Sequence, residues 1–297
     1  MSSDFEHNPE DWDHFQALGC ESASSAAELF QSYIKLKKSF EALPKSDLIN
    51  RGWIQSKDDI TSLSGFFRDI HDQANCKLFR KSDPVVNPLI SLWLSKVKSE
   101  AEMRVLSEPL PSFTGIDKAF MSEIARLSVD VDAIRDLPNV LSRSGIVLVY
   151  LRSLSGMKLD GAVFKLSSGH PVVALSFRYP RLDNFWFTLM HELAHVVLHQ
   201  DILDEPILDD LDIQGDLGDV EVGANRLAKS SFVERYAWRN CEPKYDKSKE
   251  AILKFANEQQ IHPSIVAGMI RKEEGDYSAY SEIVNSVNPR SLIFDDE

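Results

Sequence analysis

The chain has 297 residues, 43% of them hydrophobic, with a net charge of −13 and a pI near 5.1. That apolar content supports one or two packed domains. The acidic balance argues against nucleic acid as a direct partner, because duplex binding needs a basic face that displaces counterions. No apolar run approaches the roughly 18 residues of a membrane span, and Met1-Ser-Ser-Asp-Phe-Glu-His7 has neither a basic start nor an apolar core. Cys20, Cys76 and Cys241 are scattered and odd in number, as expected of reduced thiols. These features together predict a cytoplasmic protein with no membrane attachment.

In chain order, residues 1–22 are polar and are expected to be mobile. Helical spacing follows at Ala23–Ala42, Lys57–Gln73, Val86–Leu106 and Ile116–Leu127, with breaks at Pro44, Pro84, Pro109 and Pro111. Leu63, Phe66, Phe67 and Ile70 are read as core positions. Residues 23–135 are therefore expected to form a helical accessory domain. From Val140 the character changes to β-rich runs, at Gly145–Leu151, Gly161–Leu166 and Pro171–Phe177, separated by Gly, Ser and Asp turns. Gly169-His170-Pro171 reads as a tight connection, with His170 as a turn residue. The reading is an α+β chain: a helical accessory region, then a small core over 136–297 with a three-stranded sheet followed by helices.

The segment Asn184-Phe-Trp-Phe-Thr-Leu-Met-His-Glu-Leu-Ala-His-Val-Val-Leu-His-Gln200 is almost wholly apolar and contains His191, Glu192 and His195 in HExxH spacing. Residues four apart share a helix face, so both imidazoles can reach one metal ion while Glu192 stands beside it to move a proton. Apolar residues around most of the helix predict burial. Thr188, His191, Glu192, His195 and His199 form one polar stripe, which lines a cleft or meets a metal, since burying it unpartnered is costly. His199 lies about 12 Å along the axis from His191, too far to share an ion with both, and is read as capping the helix or lining the cleft.

A catalytic zinc site usually takes three protein ligands. The position six residues after His195 holds Asp201 rather than a third histidine. A carboxylate on a later helix is the better expectation. Glu221, Ala224, Asn225 and Ala228 share a helical face, and Asp219 is placed to cap it. Small Ala224 and Ala228 would let the two helices approach closely. Asn225 is expected to support a ligating imidazole from behind. From Asp201 to Glu221 the connection holds nine Asp or Glu residues and no Lys or Arg, a charge able to steer a basic partner.

The run Arg178-Tyr-Pro-Arg-Leu-Asp-Asn-Phe-Trp-Phe-Thr-Leu-Met-His-Glu-Leu-Ala-His195, followed by Glu221-x-x-Ala-Asn-x-x-Ala228, resembles the ImmA/IrrE family of intracellular metallopeptidases. Within that family it looks most like the C-terminal part of proteins that carry an Xre-type helix-turn-helix domain in front. Ile261-His-Pro-Ser-Ile-Val-Ala-Gly-Met-Ile-Arg271 matches that subgroup's C-terminal helix. Arg51-Gly-Trp-Ile54, Phe79-Arg-Lys-Ser82 and Gly145-Ile-Val-Leu-Val149 match less specifically. The family's usual Leu-Ile-Pro ending of the glutamate helix is replaced by Ser231-Phe-Val-Glu234, and the DNA-binding domain has no counterpart before residue 45.

The resemblance implies a zincin-like core of the minigluzincin type. It makes His191, His195 and Glu221 ligands of Zn2+ (or Mn2+), with Glu192 as general base. It also implies limited cleavage of a helix-turn-helix repressor or antitoxin in a stress, phage-related or toxin–antitoxin circuit. Tyr150, Tyr179 and His262 are candidates for supporting the developing oxyanion. His262 has the better case, because it precedes Pro263 at a helix start. The alternative is a non-proteolytic toxin or regulatory subunit that grips the same kind of partner.

Overall fold

A computed structural model describes residues 37–38, 40–59, 61–63, 87–208 and 218–294. Most of the expected helix at Ala23–Ala42, and most of that at Lys57–Gln73, lies outside the described residues. Of the latter, the described part holds a turn and a single 3-10 turn at Thr61–Leu63.

The chain divides into two compact units. The first comprises the described residues up to Ser95 together with Leu154–Met157. It contains α1 (Lys45–Asn50), which buries Leu48, and the first part of α2 (Pro88–Ser107), opened by Pro88 with Asn87 accepting from the Leu89 N–H at 3.0 Å. Asp47 on α1 receives Arg51 at 2.7 Å and the Ser155 N–H at 2.9 Å, which ties the short 154–157 excursion into this unit.

The second unit comprises Lys96–Ser153 and the chain from Lys158 onward. It begins well upstream of residue 136, the expected start of the small core. The cause is packing: α3 (Lys118–Arg126) rests on later helices, and α4 (Ala133–Ser142) rests on the first strand. Asp117 caps α3 by accepting from the Phe120 N–H at 2.9 Å, and Met121, Ile124 and Ala125 form its buried face.

Four strands make the sheet, β1 (Val147–Tyr150), β2 (Gly161–Lys165), β3 (Pro171–Leu175) and β4 (Ile207–Leu208), in the order β1-β3-β2-β4. The expected three-stranded sheet is corrected by β4. This two-residue apolar pair inside an acidic connection is too short to show an alternation. β1 runs parallel to β3, with Val147 opposite Val172, and β2 is antiparallel to both β3 and β4. Nearly every residue of β1, β2 and β3 is buried, as expected of a sheet covered on both faces. Gly145, before β1, has φ +74°, and a Cβ there would stand 2.6 Å from the Pro111 carbonyl oxygen. The turn and the close approach both require glycine.

The helices that follow are α5 (Leu182–Leu198), α6 (Gly218–Phe232), α7 (Arg235–Arg239), α8 (Lys249–Gln259), α9 (Pro263–Glu274), α10 (Ser281–Val284) and α11 (Arg290–Ile293). α5 is the axis of the unit. It packs on β2 and β3 and against α3, α6 and α9, which is why its sequence is apolar around most of its circumference. The polar stripe runs between the face that meets β2 and the face that meets α6.

Candidate metal centre

On that stripe His191 and His195, four residues apart on α5, bring their Nε2 atoms to 3.0 Å from each other. Glu221 enters from the first turn of α6, with Oε2 3.1 Å from His191 Nε2 and Oε1 3.5 Å from His195 Nε2. The three donors lie within 4.8 Å of one another, and no other such group of His, Cys, Asp or Glu occurs among the described residues. Small residues bring the two helices together: Ala224 and Ala228 are buried on α6, and Leu198 Cδ1 lies 3.6 Å from where a Cβ on Gly223 would be. Asp219 sits inside the first turn rather than at the cap. Asp219 and Glu221 thus both place negative charge at the favourable end of the α6 dipole.

The electrostatics suit a cation. Burial pushes the Glu221 carboxyl up, but the two histidines outweigh it by hydrogen bonding and charge, and hold it at about 2. Burial holds His195 below the usual imidazole range, against the pull of Glu221. A neutral imidazole and an ionised carboxylate are the ligating forms. Ligands bonded at about 2.0–2.1 Å to one tetrahedral ion stand roughly 3.3 Å apart, and the three separations here bracket that spacing. The His191–His195–Glu221 cluster is therefore compatible with a bound metal ion.

Glu192 is fully buried on the strand-facing side of α5, its carboxyl against the Cα of Gly161 at the start of β2. Sequence reasoning does not single out Gly161. A glycine opening a strand is nonetheless a sign of close approach. One turn before Glu192, Thr188 is also a wall of a small pocket with Asp160, Phe177, Arg178, Tyr179 and Asn184.

The remaining candidates are placed as follows. Asn225 is exposed, and its Nδ2 donates at 2.9 Å to the Glu221 carbonyl of its own helix rather than to an imidazole. His195 Nδ1 is buried with no hydrogen-bond partner among the described residues. His262 is the N-cap of α9: its Nδ1 accepts from the Ser264 N–H at 3.1 Å and lies 2.8 Å from Ser264 Oγ, while its own N–H donates to Ser128 Oγ. Burial lowers its pKa. Tyr150 donates its hydroxyl to the Ile134 carbonyl at 2.9 Å, with its pKa driven well up by burial, so that oxygen is committed to the core. Tyr179 borders the pocket, with the Arg178 guanidinium 5.1 Å from its ring centroid. His199 occupies the C-cap of α5, its ring 5.4 Å from that of His195. His170 bridges Ser168 Oγ and the Pro111 carbonyl at the β2–β3 turn.

In comparisons with known proteins, residues 142–255 match the family model described as Peptidase_M78, IrrE N-terminal-like domain. No curated protein matches the chain. The matched segment contains β1 to β4, both histidines, Glu192 and Glu221, and His262 lies beyond it. With its metal-compatible cluster inside that segment, residues 142–255 are similar to the IrrE N-terminal-like domain of the M78 peptidase family.

Proposed function

We propose that the protein is a zinc-dependent endopeptidase that makes limited cuts in a helix-turn-helix repressor or antitoxin. The observation that carries the reading is the convergence of His191, His195 and Glu221 within hydrogen-bond range of one another, with a buried carboxylate, Glu192, adjacent in the same helix. A module that only binds a partner has no use for Glu192.

In this reading His191, His195 and Glu221 hold the ion. What zinc supplies when bound is a polarised scissile carbonyl and a water acidified from about 15.7 toward about 7. Glu192 takes the proton of the attacking water and delivers it to the nitrogen of the departing amine. His262, its Nδ1 occupied by the α9 cap, keeps its proton on Nε2 and is assigned to the oxyanion. An extended substrate segment pairs by its backbone with the sheet edge. β4 already covers β2 at Ala162 and Val163, so among the described residues the sheet edges are β1 and β4.

The partner class rests on charge. Asp201, Asp204 and Glu205 are exposed in the connection after α5, with Asp204 2.9 Å from Lys165, and the sequence adds further acids at 209–217, outside the described residues. A DNA-binding repressor presents the complementary basic face. The test is to incubate the purified protein with the product of the gene adjacent to its own, with and without a zinc chelator, alongside Glu192→Ala. One or a few defined fragments, lost with chelator and with Glu192→Ala, are expected. An intact partner, or equal effects of wild type and Glu192→Ala in cells, would overturn the reading.

A further inference from the structure

We infer that Gly161 is a positioning residue for Glu192, and this rests on the assignment of Glu192 as the base. Gly161 opens β2 in ordinary extended backbone, outside the left-handed region that six other glycines among the described residues occupy. Its conformation does not call for glycine, and glycine weakens a strand. What it supplies is room.

A Cβ at this position would overlap Glu192 Oε1, and would stand 3.0 Å from Glu192 Cδ and 2.8 Å from Thr188 Cγ2. The bare Cα is thus the surface against which the carboxylate of Glu192 rests. Three residues of the two elements meet there, because α5 packs directly on β2. Thr188 and Glu192 are one turn apart on the same face of α5.

The consequence of adding a methyl follows from which neighbour can yield. The Thr188 side chain has a second χ1 rotamer accessible in a helix. Glu192 meets the intruder with the far end of a flexible side chain. Helix α5 and strand β2 are held by packing along their whole length. The low-cost relaxation therefore moves the carboxylate off the strand and leaves the fold in place. Gly161→Ala should spare stability and metal binding while displacing the group that must meet the water proton. Displacement of such a group by about 1 Å costs on the order of 100-fold in rate.

The experiment compares wild type, Gly161→Ala, Glu192→Ala, Glu192→Asp, Gly161→Ala/Glu192→Asp and Gly161→Ala/Thr188→Ala. Each is measured for zinc stoichiometry, thermal midpoint, the visible bands of the Co2+-substituted protein, and kcat and KM on fluorescein-labelled casein. For Gly161→Ala the expected result is one zinc bound, an unchanged midpoint and KM, a kcat about 100-fold lower, and Co2+ bands that match those of Glu192→Ala. The shorter Glu192→Asp should cost less in the Gly161→Ala background than alone, a coupling that a packing role does not produce. Wild-type Co2+ bands in Gly161→Ala overturn the proposal. So does a loss of zinc and midpoint restored by Thr188→Ala, which would assign Gly161 to helix–strand packing. If wild type leaves casein uncut while the Co2+ bands of Gly161→Ala and Glu192→Ala still coincide, positioning stands and peptidase action on casein falls. Cleavage by wild type with unaltered bands in Gly161→Ala does the reverse.

Discussion

The Tyr150 hydroxyl donates at 2.9 Å to the carbonyl of Ile134, the group that Pro138 leaves without its helical partner. Proline has no N–H to give to the residue four before it, so α4 holds together around Pro138 because a strand residue supplies the missing donor. Tyr150→Phe should therefore leave metal binding untouched and cost about 1–2 kcal/mol of stability, the price of an unsatisfied carbonyl. Urea unfolding checks this: the midpoint falls at constant m-value. A loss of metal binding in Tyr150→Phe would return the hydroxyl to the metal site.

A second contact of the same kind lies at the α5–α9 crossing. A Cβ on Gly268 of α9 would stand 2.5 Å from Asp183 Oδ2 and 3.1 Å from its Cβ and Cγ. Asp183 cannot retreat, since it is buried and held by Arg181 at 3.0 and 2.7 Å. Gly268→Ala gains about 1 kcal/mol of helix propensity, but overpacking costs about 1–3 kcal/mol, so the protein should be destabilised by a net of up to about 2 kcal/mol. The thermal midpoint reads the sign; a rise would show that α9 shifts freely.

These two contacts also show why some features are legible in sequence and others are not. His191, Glu192 and His195 share one helix, so their juxtaposition is written in a local spacing. Glu221 is reached by ligand count together with the Ala224 and Ala228 face. Helix α4 is hidden because Pro138 reads as a breaker, and its rescuer, Tyr150, is distant in sequence. β4 is hidden because two residues carry no period. The outward turn of Asn225 and the contact of Gly161 with Glu192 depend on how α6 and α5 are rotated on their neighbours, which only tertiary packing decides.

Acid should loosen the C-terminal helices through Glu273. Burial pushes its carboxyl up, but Lys244 at 2.5 Å, Trp238 Nε1 at 2.7 Å and Lys229 at 3.3 Å outweigh that and hold it at about 2. A folded-state value below the ordinary 4.5 means the contribution is complete above that pH and is lost as pH falls toward about 2. Glu273 is partly exposed, so screening keeps the effect modest. Glu273→Gln should be less stable than wild type at neutral pH, with the gap closing across that acid window. Thermal midpoints against pH, followed by Trp238 fluorescence, test it, and a gap independent of pH would remove the ionised carboxylate from the account.

His262 offers the sharpest separation of a structural from a chemical role. Its Nδ1 accepts from the Ser264 N–H at 3.1 Å, and burial keeps the ring neutral, so the remaining proton is on Nε2, free of the cap. Asparagine is an equally good N-cap, whereas alanine costs about 1 kcal/mol. His262→Asn should therefore keep the wild-type midpoint and metal content. If Nε2 meets the developing oxyanion, kcat should fall on the order of 100-fold in His262→Asn with KM unchanged. His262→Ala should lose the same rate and, in addition, stability. Full activity in His262→Asn would confine the imidazole to capping α9 and move the search for the oxyanion donor to Tyr179, the other candidate whose hydroxyl the core does not claim.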